Sequence, residues 1–208
     1  MEKKKSFFSA RNITFLAVLV ALVVVLQVFG GYFKIGATSL SFVLVPIILG
    51  GMLLGVWAGA LLGFIFGLVV IIDALCGLDP FTMYLLSEQP VMTVLLCLLK
   101  GTMAGVVSAL VFKVIAKKHK YVAVFVSAAL APIVNTGIFV LGALLITEPI
   151  NAYLSAAGLD IAGLSPFYII LVICVGANFF VEFAINLVLA PGLYTVETVV
   201  EKRIKTKG

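Results

Sequence analysis

The chain has 208 residues, of which 63% are hydrophobic and only 11% charged, with a mean hydropathy of +1.29. A soluble domain keeps roughly a quarter of its residues charged, so this composition excludes a water-dispersed globular protein and makes lipid the solvent for most of the chain. The net charge of +5 does not point to nucleic acid, because the basic residues sit in three clusters flanking long apolar runs, as the positive-inside rule expects of cytoplasmic segments.

Residues 1–11 form a basic leader with Lys3, Lys4, Lys5 and Arg11. The apolar run that follows is too long for a signal peptide and is read as a first spanning helix, about Asn12 to Phe33. Lys34 to Leu40 make the first outer loop. A shorter second helix covers about Ser41 to Leu54, with Pro46 expected to bend it or break its ladder. Gly50, Gly51 and Gly55 mark a tight inner connection, and a third span runs from Val56 to about Cys76. A polar loop, Gly77 to Gln89, carries Asp79, Pro80 and Glu88. Pro90 suits the first turn of a fourth span ending near Ala116. The basic turn Lys117-Lys118-His119-Lys120 leads into a fifth span, Tyr121 to about Ile146. Thr147 to Ser165 form the longest outer loop, the sixth span runs from Pro166 to about Leu193, and residues 194–208 are a basic amphipathic tail.

At about 20 apolar residues per span, this is one all-α polytopic domain over residues 1–208. It has six transmembrane helices and both termini in the cytoplasm. Twelve of the fourteen Lys and Arg residues then fall on the inner side, the exceptions being Lys34 and Lys100. The expected location is the cell membrane, multi-pass.

Gly51, Gly55, Gly59, Gly63 and Gly67 recur every four residues and are read as one glycine face along the third span, and Gly101, Gly105 and Ala109 do the same on the fourth; such faces let helix backbones approach closely in lipid. Ala17 and Ala21 carry a shorter version on the first span, suited either to internal packing or to docking of a separate membrane subunit. Cys76, Cys97 and Cys174 show no metal or disulfide spacing and read as packing residues.

Polar residues inside a bilayer are costly, which makes them functional candidates. Lys100 lies about 15 Å below Pro90 at 1.5 Å per residue. Asn178, Glu182 and Asn186 form one stripe on the sixth span, and Asn135 and Thr136 lie at mid-depth on the fifth. They are read either as a structural cluster in which Lys100 pairs with Glu182 or as the floor of a ligand cavity, and the two are compatible. Lys34, Asp79, Tyr84 and Glu88 in the outer loops, with Tyr32, Phe81, Tyr153, Phe167 and Tyr168, are candidates for its upper wall. No phosphate-cradling GxxxxGK[ST] loop, HExxH or GxSxG pattern occurs. His119 sits in a basic inner turn, so neither ATP hydrolysis, a metal site, a cofactor nor catalysis is expected.

With Ala17-x-x-x-Ala21, the run LSFVLVPIILGGMLLGVWAGALLGFIFG (Leu40 to Gly67), PVMTVLLCLLKGTMAG around Lys100 and ANFFVEFAINLVLAP in the sixth span, the chain resembles substrate-binding S components of energy-coupling factor (ECF) transporters. The resemblance implies capture of a vitamin or its precursor from outside through the outer loops. It also implies docking by Ala17 and Ala21 on a transmembrane coupling protein, and energy supplied by two cytoplasmic ATPase subunits. Within that family the chain is most similar to the pantothenate, hydroxymethylpyrimidine, pyridoxine and folate group, and Met1-Glu2-Lys3 lacks the histidine of metal-specific members. Lys100 with Lys34 above it favours pantothenate, unless Glu182 already neutralises Lys100. A self-sufficient secondary transporter or channel is the alternative.

Overall fold

A computed structural model describes residues 10–32, 34–35, 38–39 and 42–206, with backbone alone for 34–35, 38–39 and 203–206. The leader with Lys3, Lys4 and Lys5 and the tail residue Lys207 lie outside the described residues, as do the side chains of Lys34, Arg203 and Lys205.

Helix α1 (Ala10–Gly30) is followed by a two-stranded antiparallel ribbon, β1 (Lys34–Ile35) and β2 (Thr38–Ser39), in which Lys34 faces Ser39. Then come α2 (Leu44–Leu54), α3 (Val56–Leu75), α4 (Pro80–Glu88), α5 (Pro90–Ile115), α6 (Lys120–Ala143) and α7 (Thr147–Ala156). The last span opens with the short α8 (Pro166–Tyr168), widens into a π-helical segment (Ile169–Cys174) and continues as α9 (Gly176–Thr206). Among the described residues, five helices, α1, α3, α5, α6 and α9, are long and apolar enough to cross a membrane, and α2 is a shorter apolar sixth. The protein is an all-α polytopic membrane protein.

The departures from the sequence reading have local causes. Pro46 is the third residue of α2, where its missing N–H has no intrahelical acceptor to lose, so it starts the helix rather than bending it. The loop expected after α3 is mostly α4, capped by Asp79 and opened by Pro80. The long loop after α6 begins with α7. The basic tail continues the last helix through Pro191, because Glu197 and Glu201, one turn apart, both ion-pair with Lys120 at the start of α6. That clamp puts the beginning of α6 and the end of α9 at one end of the bundle, the end that the positive-inside rule assigns to the cytoplasm. Cys97 and Cys174 are buried, whereas Cys76, the residue that follows α3, is exposed.

The small-residue pattern is divided between two helices. Gly51 belongs to α2, and Gly55 is the break itself, with φ +94°. Gly59, Gly63 and Gly67 turn towards α5, the helix on which α3 packs most extensively. A Cβ on Gly59 would lie 2.7 Å from the Gly105 carbonyl oxygen; at Gly63 it would meet the Gly101 carbonyl, and at Gly67 the Cys97 carbonyl. One hydrophobic cluster fills the inner part of the bundle around Leu44, Ile47, Ile48, Leu62 and Val124. A second, around Phe81, Leu85, Ile150, Leu154 and Ile170, joins α4 and α7 to the outer ends of α5, α6 and the π-segment.

Gly63→Ala is expected to destabilise the detergent-solubilised protein by about 1–3 kcal/mol, because the backbone it meets cannot rotate away. Gly137→Ala, on α6 with no atom within 4 Å of an added Cβ, should be neutral or stabilising by up to about 1 kcal/mol. Thermal unfolding of the two variants side by side checks the contrast.

Candidate functional site

A small cavity of about 80 Å³, open at its mouth, lies where the two hydrophobic clusters meet. Phe66 and Val70 of α3 belong to its inner side, and Phe81 of α4 and Val175 after the π-segment to its outer side. The remaining spans contribute polar groups: Gln27 from α1, Lys100 from α5, Asn135 and Thr136 from α6, and Asn178 and Glu182 from α9. Phe139 and Phe179 complete the wall, and Asp79 and Thr82 stand at the foot of α4.

Lys100 is half-buried and its ammonium lies 5.6 Å from the ring centroids of both Phe66 and Phe139. Ring faces carry partial negative charge and hold a cation without neutralising it. Among the described residues no ion pair joins Lys100 to Glu182, and Glu182 is buried with contacts of its own. The charge on Lys100 is therefore cushioned by aromatic faces and left available to the cavity.

Asn186 continues the stripe of Asn178 and Glu182 but does not line the cavity; its Nδ2 donates to the Glu182 carbonyl oxygen at 2.7 Å, back onto its own helix. Tyr84 and Glu88 do not line it either. Glu88 is exposed at the end of α4, and Tyr84 packs its ring on Tyr153 at 5.6 Å. Lys34 sits in β1, with its side chain outside the described set. Of the outer aromatics, Phe81, Tyr84 and Tyr153 form one cluster that fastens α4 to α7, while Tyr32, Phe167 and Tyr168 are exposed. Burial, and secondarily the charge of Asp79, push the Tyr153 phenol above its ordinary value, so it stays neutral at physiological pH.

Several lining residues carry no chemistry that marks them in the sequence. Phe66, Phe139 and Phe179 look like any lipid-facing phenylalanine in helices that are apolar on every side. Gln27 did leave a signal: it is the lone amide within a long apolar run of the first span. Among the described residues no group of three His, Cys, Asp or Glu side chains stands together as a metal site.

Asp79 has a definite structural task. Its Oδ1 accepts from the Thr82 backbone N–H at 3.2 Å and its Oδ2 from the Thr82 hydroxyl at 2.6 Å, capping the helix that covers the cavity.

Residues 11–194, nearly the whole chain, match the family model described as ECF transporter, substrate-specific component. A comparison with curated proteins finds no match.

If Asp79 acts through its cap, Asp79→Ala should speed ligand dissociation and lower stability by about 0.5–2 kcal/mol, and Asp79→Ser should restore most of both. Dissociation rates and melting temperatures of the two variants check this.

Proposed function

We propose that this chain, which belongs to the family of ECF transporter substrate-specific components, captures a small vitamin-like anion from the outer side, with pantothenate the preferred candidate. As a substrate-specific component it is a transport subunit of the cell membrane that takes a small molecule and works with a membrane-embedded coupling complex and its ATPases. The single observation that carries the finer reading is Lys100, a cation at mid-depth whose charge rests on two aromatic faces inside a cavity. A carboxylate entering from outside would supply the counter-charge in a low-dielectric setting where a charged hydrogen bond is strong. Asn135, Asn178 and Glu182 are assigned to the same binding surface, with Gln27 added. Tyr84 and Glu88, set back from the cavity, keep at most a part in the approach to it, and Lys34, whose side chain lies outside the described residues, stays assigned to that approach.

Docking on the coupling protein is assigned to Ala17 and Ala21. α1 buries Leu19, Val23, Gln27 and Gly30 against the bundle, and both alanines are exposed on its other side with Val18, Val25 and Phe29. A small-residue strip bordered by apolar side chains suits close approach of a partner helix in lipid. Two cytoplasmic ATPase subunits would drive the cycle.

A panel of pantothenate, hydroxymethylpyrimidine, pyridoxine and folate tested for thermal stabilisation of the purified chain should single out pantothenate. Lys100→Met should then weaken pantothenate binding roughly 100-fold or more, the order expected for losing a buried charged hydrogen bond, with little change in the melting temperature without ligand. A large loss of ligand-free stability would instead assign Lys100 a bracing role. Uptake of pantothenate into liposomes by the chain alone would favour a self-sufficient transporter.

Ala17→Trp combined with Ala21→Trp should leave ligand affinity unchanged and abolish co-purification of the coupling protein. Undiminished assembly would remove the docking assignment.

A further inference from the structure

Asp73 is not part of the cavity lining, yet it is 95% buried and sits beside it, two residues before the end of α3. Its Oδ2 accepts a hydrogen bond from Gln27 Nε2 at 3.2 Å, a buried link between α3 and α1. A carboxylate can only accept, and an amide has one donating and one accepting end. The contact with Asp73 therefore settles which way the Gln27 amide faces: its N–H₂ points to Asp73 and its Oε1 is turned away. That Oε1 is buried without a hydrogen-bond partner, and Gln27 lines the cavity. Asn135, on the cavity wall contributed by α6, likewise has a buried Oδ1 without a partner. Buried acceptors left unmade are unfavourable, so a ligand bringing hydroxyl or N–H donors gains by satisfying them.

We propose that Asp73 is a positioning residue that sets the donor requirement of the site: by holding the Gln27 amide N–H it presents Gln27 Oε1, together with Asn135 Oδ1, as acceptors for a ligand whose anionic end meets Lys100. The ligand class is a small carboxylate carrying hydroxyl or amide donors away from its charge. This deepens the reading of the cavity given above and rests on it for the ligand, whereas the Asp73–Gln27 relay stands on its own. Asp73→Asn is isosteric but can donate, so Gln27 becomes free to turn its N–H₂ towards the cavity and the preference for donors is lost.

The relay is read without any ligand. Gln27 and Gln89 are the two glutamines of the chain, so protein labelled with side-chain ¹⁵N-glutamine gives two amide signals. The Gln27 signal should be shifted and protected from exchange in the wild type, and should move in Asp73→Asn while the Gln89 signal stays in place. An unmoved Gln27 signal overturns the proposal. The donor requirement is read by binding of pantothenate and of its di-O-methyl ether, which lacks both hydroxyl donors. Wild type should bind pantothenate roughly 10- to 100-fold more tightly than the ether, the range expected for unmade buried hydrogen bonds. Asp73→Asn should bind pantothenate more weakly by a similar factor and discriminate little between the two. In a Gln27→Leu background the Asp73→Asn change should have no further effect on binding. Equal losses for both ligands, or losses that persist without Gln27, would mean a structural role and overturn the proposal. A wild-type chain with the shifted Gln27 signal but no pantothenate binding overturns the ligand reading and leaves the relay standing.

Discussion

The backbone of α3 lies against that of α5 because Gly59, Gly63 and Gly67 present no side chains to the carbonyls of Gly105, Gly101 and Cys97. In lipid there is little hydrophobic gain from pressing two apolar helices together, so the contact must come from close packing. Once two backbones are this near, their larger side chains are displaced to the flanks. Phe66 and Lys100, each adjacent in sequence to one of these contact positions, come out on the same flank with the ring beneath the ammonium. The cavity wall is in this sense a by-product of a helix contact made of glycine.

The rest of the site follows from having two cores. The inner cluster closes the bundle beneath the cavity, and the outer cluster is assembled from α4, α7 and the π-segment. Between them remains a space that neither fills, lined by groups that a continuous hydrophobic core would not tolerate. The outer layer is held by local devices, the Asp79 cap and the rings of Phe81, Tyr84 and Tyr153. The inner end is held by a different one, the Lys120 clamp on Glu197 and Glu201.

Much of the candidate site was conspicuous in the sequence because hydrocarbon makes polar residues stand out. Lys100, Asn135, Asn178 and Glu182 interrupt apolar runs, and they line one cavity. The same logic applied to Gln27 would have added it. The aromatic wall could not be read in this way, since periodicity distinguishes faces only when one face is polar, and these helices are apolar nearly all round. The loop residues were harder still. Tyr84 and Glu88 were grouped with the site as residues of an outer loop, but that loop is the helix α4, whose geometry sends Phe81 and Thr82 to the cavity and leaves Glu88 exposed.

The sequence by itself determined that lipid is the solvent, that apolar helices make up most of the chain with basic residues clustered at their ends, and which rare polar residues, Gln27 apart, interrupt the apolar runs. Those conclusions depend on composition, length and charge, which need no partner to be interpreted. Only the tertiary structure decided what each polar residue meets. The Lys100 charge rests on ring faces with no ion pair to Glu182, and Asp73 orients an amide 46 positions away. Such pairings are set by how helices rotate against one another, and in an all-apolar bundle that rotation is fixed by backbone approach and side-chain volume, which hydropathy does not encode.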